Sequence, residues 1–413
     1  MRRIVQFILL KPILWASRKF ASRPDRTRIF SALSELFRSI KENPGKKGVI
    51  LDLKKDTRII VFSDQHRGAK NGADDFMKAE DSYLKALDHY FQNKFLFISL
   101  GDCEELWENT FAGVKKHNTL TFESEKRFIL QNRLFKVFGN HDLYWDNSPL
   151  AAQSIRSIYG KKLKVFEGIV IEKDKPVGSR QSAVGSQLPI AIGTAAGSWQ
   201  STADISQKNK NIPVTESKPA TTDKLPIADC RLTIFLTHGH QGDASSDGNW
   251  FSKFFVANIW APLQSYVRIN PNTPAYDEDT KTLHNLIMYE WSSKYNDLIL
   301  ITGHTHQPVF ESLTHPERLY RQLGRALKAN DKEEADRIEQ EIKRRGRDYK
   351  TTPAQFLSVK PSYFNSGCCC FRDGDITGIE ITYERISLVK WSVSKGRELL
   401  EEMELDKLQE LIK

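Results

Sequence analysis

The sequence predicts an α/β protein whose polar residues collect at the ends of buried strands. Five short runs of apolar, β-branched and aromatic residues each end just before a polar stretch, a pattern typical of buried strands. These runs are Ile59–Phe62, Phe95–Ile98, Leu134–Phe138, Leu232–Leu236 and Leu298–Ile301. Of the chain's ten histidines, six lie in the polar stretches that follow. Because a sheet rigidly positions the loops that leave it, these side chains should converge on one site.

The five polar stretches supply the side chains that bind divalent metal ions. They are Asp64-Gln65-His66, Gly101-Asp102, Gly139-Asn140-His141-Asp142, His238-Gly239-His240 and Gly303-His304-Thr305-His306. Imidazole suits Zn, Fe and Mn, whereas carboxylate and amide oxygens suit Mn, Mg and Fe. A spacing of two residues, as in Asp64/His66 and His304/His306, lets both side chains reach one ion. Two ions about 3.5–4 Å apart commonly drive phosphoester hydrolysis, so the pattern predicts a dinuclear hydrolase.

Taken in order, the five stretches resemble the signature of the calcineurin-like metallophosphoesterase family, D-x-H, G-D-x-x, G-N-H-D/E, H and G-H-x-H. The resemblance implies a four-layer αββα sandwich, in which two mixed sheets lie face to face with helices outside and helical insertions between strands. It also implies two divalent ions, of which Mn is preferred here and Fe or Zn are alternatives. The implied metal ligands are Asp64, His66, Asp102, Asn140, His238, His304 and His306.

The resemblance also implies a role for each residue. Asp64, His66 and His306 hold the first ion, and Asp102 bridges to the second. Asn140, His304 and one of His238 or His240 hold the second ion; His238 is preferred because it comes first after its strand. His141 is the catalytic acid that faces the substrate, and Glu105 is the carboxylate that orients it. The residues expected behind the ligands or against the substrate are His240, Asp142 and Asn365.

A narrower resemblance concerns the substrate. The stretch Gly101–Trp107 is similar to the G-D-x-x-E-x-W block of UDP-2,3-diacylglucosamine hydrolases, which cleave a pyrophosphate in lipid A synthesis. Asn365-Ser366-Gly367 is similar to their N-[TS]-G turn. The chain departs from the usual form of that family, which has Arg where His141 stands and lacks the long inserts. This resemblance implies a phosphorylated substrate that is lipid-linked or a nucleotide sugar.

Charge and cysteine content restrict the partners. Residues 1–47 hold 12 Lys or Arg and 3 Asp or Glu, so the net charge of +9 lies there and the rest of the chain is formally neutral. A neutral body argues against a nucleic-acid partner. Five cysteines, three of them consecutive at 368–370, do not form an even disulfide framework. A reduced, cytoplasmic protein with these cysteines in a buried strand is expected.

The first 50 residues form a basic amphipathic leader in this interpretation. Its apolar stretch, Ile4–Trp15, is interrupted by Lys11-Pro12 and falls short of the roughly 20 residues that span a bilayer. Basic and apolar residues mixed in this way suit a segment lying on an anionic membrane surface. The sequence leaves two alternatives open. Residues 1–47 dock the enzyme on the inner face of the membrane, or the leader packs on the body.

Residues 51–394 are predicted to form the metallophosphoesterase domain with three inserts. Residues 174–229 are polar and poor in aromatics, which predicts a disordered insertion or, as the alternative, a lid. Residues 249–295 are rich in aromatics and predict a helical cap over the site or, equally, core packing. Residues 316–350 carry mixed charges at helical spacing and predict a solvated helical hairpin. Residues 395–413 predict a C-terminal helix.

Together these features predict a dinuclear metal-dependent hydrolase of a phosphoester or pyrophosphate bond. One alternative is a nucleotide or nucleic-acid phosphodiesterase, which the neutral body disfavours. A second alternative is a catalytically silent metal-binding scaffold, which is disfavoured because every ligand position and His141 are present.

Overall fold

The computed structural model describes residues 24–70, 74–173, 232–242, 278–345 and 359–413. The predicted insertion over 174–229 lies outside these residues, as do residues 1–23 of the leader, 249–277 of the predicted cap and 346–350 of the predicted hairpin. Within the described ranges, no helix combines the length and the apolarity that a membrane span requires.

Fourteen described strands form two mixed sheets of seven strands each. The first sheet, in spatial order, contains β1 (Gly48–Leu53), β6 (Gly168–Lys173), β7 (Leu232–Thr237), β8 (Leu298–Thr302), β11 (Tyr363–Asn365), β9 (Val309–Phe310) and β10 (Leu313–Thr314). The second contains β14 (Gly396–Glu404), β13 (Arg385–Ser392), β12 (Ile376–Thr382), β2 (Arg58–Phe62), β3 (Leu96–Leu100), β4 (Leu134–Val137) and β5 (Val165–Phe166).

Ten α-helices and one short 3-10 helix, Phe76–Lys78, accompany these strands in the described residues. The α-helices, α1 to α10 in chain order, are Arg26–Glu42, Glu80–Gln92, Phe111–His117, Thr119–Leu130, Tyr144–Asn147, Ala151–Tyr159, Glu278–Ser292, His315–Lys328, Lys332–Arg345 and Leu405–Ile412.

The two sheets pack face to face, and their alternating side chains divide the core into layers. In β2, Ile59 and Val61 point between the sheets, where they join residues of the first sheet such as Ile234 and Ile299. The neighbouring Ile60 belongs to a second cluster, between β2 and the helices outside it. This period of two is the geometry of a strand. Central strands buried on both faces explain why the five runs are continuously apolar.

Helices cover the outer face of each sheet, which gives the predicted four-layer sandwich. Tyr83 of α2 and Phe128 of α4 pack on the second sheet. On the first sheet, Phe37 of α1 packs edge-on against Phe235, with ring centroids 5.3 Å apart. Met288 and Trp291 of α7 join the same cluster. The expected α/β architecture of two mixed sheets between helices is confirmed.

The predicted leader does not extend to residue 50 as a separate segment. Helix α1 begins after Asp25, whose side chain accepts a hydrogen bond from the Arg28 N–H at 2.9 Å. Its buried residues recur every three or four positions, which builds an apolar stripe. They are Ile29, Leu33, Leu36, Phe37 and Ile40. Residues 26–50 therefore belong to the body, because this stripe is part of the core of the first sheet.

The C-terminal segment also differs from its prediction. Residues 396–404, expected to be helical, form strand β14, and only Leu405–Ile412 is a helix. β14 pairs antiparallel with β13, and Arg397 binds both oxygens of Glu380 at 2.7 Å. Glu, Leu and Met favour helices in isolation, but cross-strand pairing at a sheet edge outweighs this preference.

The mixed-charge segment after β10 forms two helices, α8 and α9, within the region predicted to be a hairpin. Thr314 and Glu317 form a capping box at the start of α8. The helices share a small apolar cluster of their own that includes Leu319 and Ile338. Of the predicted cap, the described part is α7, which buries Ile287, Met288 and Trp291 in the core of the first sheet.

Candidate metal centre

The five polar stretches meet at one edge of the sandwich. Strands β2, β3 and β4 run parallel, and so do β7 and β8, so each set delivers its loops from the same end. The two sets touch directly. A Cβ atom on Gly101 would lie 2.5 Å from the His238 ring, and one on Gly303 would lie 2.3 Å from Asp64 Oδ2. Glycine is required at both positions because the loops of the two sheets pack so closely.

The backbone at this edge is strained. Five non-glycine residues of the polar stretches have positive φ angles, a conformation that side chains rarely adopt. They are Asp64 (53°), His66 (49°), Asp102 (50°), His304 (69°) and His306 (56°). Such residues cost on the order of 1–3 kcal/mol each, and they cluster at functional sites. Hydrogen bonds between loops hold them, for example from the His66 N–H to the Asp102 carbonyl at 2.9 Å.

Asp64, His66 and His306 form what we call the first half-site. Nε2 of His66 and Nε2 of His306 lie 3.0 Å apart, and Asp64 Oδ1 lies 3.3 Å from the latter. All three ligand atoms lie within 4.8 Å of one another. Burial lowers the pKa of His306, but the Asp64 carboxylate outweighs burial and raises it to about 9. These atoms could bind one divalent ion.

Asn140, His238 and His304 form the second half-site. His238 and His304 each offer a ligand atom within 4.8 Å of Asp102. Asn140 Oδ1 and His304 Nε2 are buried and form no hydrogen bond among the described residues, whereas the buried His238 Nε2 has Asp102 Oδ2 as an ionic neighbour 3.0 Å away. A buried polar atom without a partner costs about 1–3 kcal/mol. A bound cation would satisfy all three atoms, so this donor set fits the metal that the sequence predicts.

Asp102 lies between the half-sites. Its Oδ2 is 3.0 Å from His238 Nε2 and 3.7 Å from His66 Nε2. Its Oδ1 accepts a hydrogen bond from the His141 backbone N–H at 2.8 Å. This carboxylate could therefore contact an ion in either half-site.

His238 and His240 occupy different environments. His238 Nδ1 hydrogen-bonds the Leu100 carbonyl at 3.0 Å, which turns Nε2 toward Asp102. A partner on the other ring nitrogen is the usual arrangement of a metal-binding histidine. The His240 ring is centred 5.4 Å from that of His238, and burial with the neighbouring His238 lowers its pKa to about 3. The structure thus brings His238, rather than His240, to the Asp102 carboxylate.

Glu105 connects His66 with His141. Its Oε2 hydrogen-bonds Nδ1 of His66 at 2.9 Å and lies 2.7 Å from Nδ1 of His141, although without hydrogen-bond alignment to the latter. Burial raises the pKa of Glu105, but His141 and His66 outweigh burial and lower it to about 2. The indole of Trp107 stacks on the other side of the His141 ring, with centroids 5.0 Å apart.

Asp142 and Asn365 hold loops rather than face an open space. Asp142 is fully buried and accepts hydrogen bonds from the backbone N–H groups of Cys103 and Gly139 at 2.9 and 2.6 Å. Burial raises the pKa of Asp142 to about 6. The Asn365 amide donates to the Gly303 carbonyl at 2.6 Å. Each therefore fixes a loop that carries predicted ligands.

A buried charge network lies beneath three of the loops, and the sequence analysis missed it. Arg67 donates to Glu104 at 2.6 Å and to Glu125 at 2.5 Å, and Lys136 lies 2.9 Å from Glu104. Arg67 adjoins the ligand His66, and Glu104 adjoins Glu105. Adjacency in sequence to the polar stretches was the only available signal, because nothing in the pattern predicted that these charges are buried.

Cys368 and Cys370 also lie beside the first half-site. Cys370 Sγ is 3.7 Å from Nδ1 of His306, whereas Cys369 points into the core below. Burial raises the pKa of the Cys368 thiol, but hydrogen bonds with Cys370 and His306 outweigh burial and lower it to about 6. The three cysteines are buried as expected but follow β11 rather than form a strand. The spacing of two residues between Cys368 and Cys370 was a signal that these two thiols lie on one side of the chain, with Cys369 on the other.

A two-sheet sandwich with converging Asp, Asn and His side chains at one edge defines a class of metal-dependent phosphoester hydrolases. The family model for calcineurin-like phosphoesterase matches residues 57–308, which is more than half of the chain. The protein therefore belongs to the calcineurin-like phosphoesterase family, whose members use a dinuclear metal centre. No curated protein was found to match the chain.

Proposed function

We propose that this phosphoesterase hydrolyses a phosphodiester or pyrophosphate whose leaving group carries an apolar portion, such as a lipid-linked or nucleotide-sugar substrate. In this proposal the first half-site holds one ion, the second half-site holds another, and Asp102 binds both. The observation that carries it is a pair of buried ligand atoms without a hydrogen-bond partner among the described residues, Asn140 Oδ1 and His304 Nε2, beside His238 and the Asp102 carboxylate. Mn, Fe and Zn all accept these donors, and we propose Mn because three oxygen ligands accompany the imidazoles.

Two bound ions would supply a water of lowered pKa and would neutralise phosphate charge. The protein's own contribution comes from His141, which adjoins Asn140 but is not a proposed ligand. Its side chain is 10% exposed and lines a cavity, so a substrate can reach it. We propose that it donates a proton to the leaving oxygen, a role worth roughly 10²–10⁴ in rate. Glu105 and Trp107 hold the ring from two sides and limit its rotation.

A cavity of about 260 Å³ opens beside His141 and supports the proposed substrate class. Leu106, Trp107, Leu143 and Tyr144 give it apolar walls, and Asn147 and Ser148 add polar groups at one end. Ligand pockets for drug-sized molecules span about 300–1,000 Å³, so this cavity suits one ring or part of an acyl chain. Trp107 Nε1 is buried and has no hydrogen-bond partner among the described residues.

A cytoplasmic enzyme at the inner membrane face remains part of the proposal. Because α1 belongs to the body, the segment that would dock is residues 1–23, with six Lys or Arg and no Asp or Glu. Each basic residue near an anionic leaflet contributes about 1 kcal/mol. Docking at a membrane would bring the site close to an amphiphilic substrate.

The test is turnover of matched substrates with added Mn²⁺. We expect the wild type to hydrolyse a UDP-linked acylated sugar with a higher kcat/KM than the same compound without its acyl chain. Trp107→Ala should reduce that preference by about tenfold, or about 1.4 kcal/mol. Leu150→Ala, at a site that is 58% exposed and outside the cavity, is the matched control.

Three results would contradict the proposal. Equal turnover with and without the acyl chain would contradict the proposal that the cavity beside His141 binds an apolar portion of the substrate. Faster turnover of nucleotides or of nucleic acid would favour the nucleotide phosphodiesterase alternative. No turnover of any substrate, including bis-p-nitrophenyl phosphate, by protein that holds two ions per chain would favour a silent metal-binding scaffold.

A further inference from the structure

Two thiols and a ring nitrogen converge on the outer side of the first half-site. Cys368 and Cys370 are two residues apart, and their Sγ atoms and a ring nitrogen of His306 all lie within 4.8 Å of one another. Nδ1 is the nitrogen that lies 3.7 Å from Cys370 Sγ. Cys369, between them, points the other way, and its Sγ lies 3.9 Å from the Thr377 carbonyl. The proposed dinuclear centre uses neither thiol, because Nε2 of His306 is the atom that faces Asp64.

The spacing of these atoms matches that of a soft-metal site. In a tetrahedral zinc site, with Zn–S near 2.3 Å and Zn–N near 2.0 Å, the sulfur and the nitrogen lie about 3.5 Å apart. Cys370 Sγ and His306 Nδ1 are separated by 3.7 Å. An ion can also reach the group from outside, because Cys370 is 9% exposed and the His306 side chain is 16% exposed.

The chemistry of the donors separates this group from the two half-sites. Thiolates select soft or borderline ions such as Cu(I) and Zn(II) over Mn(II), whereas the carboxylate, amide and imidazole donors of the half-sites accept Mn(II) and Fe(II) as well as Zn(II). We propose that Cys368, Cys370 and Nδ1 of His306 form a third cation site, specific for a thiophilic d¹⁰ ion such as Cu(I), Zn(II) or Cd(II).

This site shares the His306 ring with the first half-site. A neutral imidazole bound through Nε2 carries its proton on Nδ1, so an ion can bind Nδ1 only by releasing that proton to solvent. The ring would then be shared by two cations that repel each other, which weakens the binding of the ion in the first half-site. The consequence, which rests on the proposed function, is that thiophilic ions inhibit hydrolysis without displacing the ion of the second half-site. Binding itself does not depend on the proposed function.

The experiment is a titration of the full-length, Mn²⁺-loaded protein with Cd²⁺, followed by ultraviolet absorption. Cadmium bound to thiolate gives a sulfur-to-metal charge-transfer band, whereas cadmium that replaces Mn²⁺ on oxygen and nitrogen donors does not. We expect the band to saturate at one equivalent per chain. Cys368→Ser and Cys370→Ser should each weaken Cd²⁺ binding by more than the roughly 10–100-fold that an outer-shell partner contributes.

Cys369→Ala is the matched control, because this neighbour points away from His306, and its band should equal that of the wild type. A wild type without the band would overturn the proposal, and so would a band that persists in the Cys368→Ser/Cys370→Ser double variant. The Mn content and circular dichroism of each variant establish that it is folded. Because no substrate is used, failure here is distinguishable from failure of the proposed function.

Discussion

The two half-sites of the candidate centre share a loop but differ in their surroundings. His304 and His306 are two residues apart, yet their pKa values move in opposite directions. Burial and the nearby His284 and His238 lower the pKa of His304 well below its usual value. Asp64 outweighs burial at His306 and raises its pKa to about 9. The first half-site therefore attracts protons that compete with a metal ion, and His304 does not.

The two histidines also differ in solvent exposure, and His306 is the more exposed of the two. The His306 side chain is 16% exposed, whereas the whole of His304 is 3% exposed and its ring lies 5.0 Å from that of His284. The first half-site also borders Glu105 and the two thiols. Two histidines on one short loop therefore belong to half-sites of different character. The half-site of His306 is open and attracts protons, and the half-site of His304 is closed. We expect the first half-site to exchange its ion faster.

The largest effect should come from Asp102, which serves both halves. Asp102→Ala should lose both ions, measured by elemental analysis, because its carboxylate approaches ligands of each half-site. Turnover should fall by at least about 10³-fold, or about 4 kcal/mol of barrier. Asp142→Asn is the matched control, since Asp142 accepts only from backbone N–H groups and should keep both ions. If Asp102→Ala retains two ions per chain, Asp102 does not bind both of them.

Next in size is His141, which lies outside both halves. His141→Ala should keep two ions per chain and lose a factor of roughly 10²–10⁴ in turnover, the usual contribution of a positioned proton donor. The loss should shrink for a substrate whose leaving group is already acidic, because such a group needs no proton. A fall in the metal content of His141→Ala would instead indicate that His141 binds an ion.

Proton competition should separate the halves by pH. Burial lowers the pKa values of His238 and His66, but nearby carboxylates outweigh burial. Asp102 raises the pKa of His238 to about 9, and hydrogen bonds that His66 donates to Asp64 and Glu105 raise its pKa well above the usual value. Below the raised pKa values of these histidines, an ion must displace two protons from the first half-site, on His66 and His306, but one from the second, on His238. Lowering the pH by one unit should weaken Mn²⁺ binding about a hundredfold at the first and about tenfold at the second.

Calorimetric titration of metal-free protein with Mn²⁺, repeated in buffers of different ionisation enthalpy, measures the protons released by each ion. Two binding steps that release equal numbers of protons would remove the distinction between the halves.

The smallest effect should come from Glu105, which touches only the first half through His66. Glu105→Gln should weaken one of the two Mn²⁺ ions by about 10–100-fold, the usual contribution of a partner that orients a metal-binding histidine. His284→Gln is the matched change beside the second half and should weaken the other ion. Competition with a fluorescent chelator gives both affinities. If both variants affect the same ion, the assignment of Glu105 to the first half is wrong.

The sequence predicted much of this fold because its central strands are buried on both faces. A run such as Ile59–Phe62 must be apolar throughout, and the polar residue that follows it marks the sheet edge. Local pattern failed where tertiary pairing decides the structure. Residues 396–404 favour a helix, but pairing with β13 makes them a strand. Similarly, the basic residues of α1 obscured an apolar stripe that belongs to the core.

Part of the candidate site was predictable from the order of the polar stretches along the chain. Spacing and strand ends indicated the polar stretches, and the family resemblance implied the seven ligands, but they could not show that Arg67, Glu104 and Lys136 pair in the interior. Nor could they show that His284, on a distant helix, lies against His304. These contacts depend on how two sheets and their helices meet, which is not encoded in any short stretch.

The most direct test of the account is anomalous diffraction at the manganese edge from crystals of the Mn²⁺-loaded protein. For a dinuclear centre we expect two peaks per chain, about 3.5–4 Å apart, with Asp102 between them. One peak should adjoin Asp64 and His306, and the other should adjoin Asn140 and His304. A single peak, or two peaks with Asp102 outside both, would contradict the dinuclear centre.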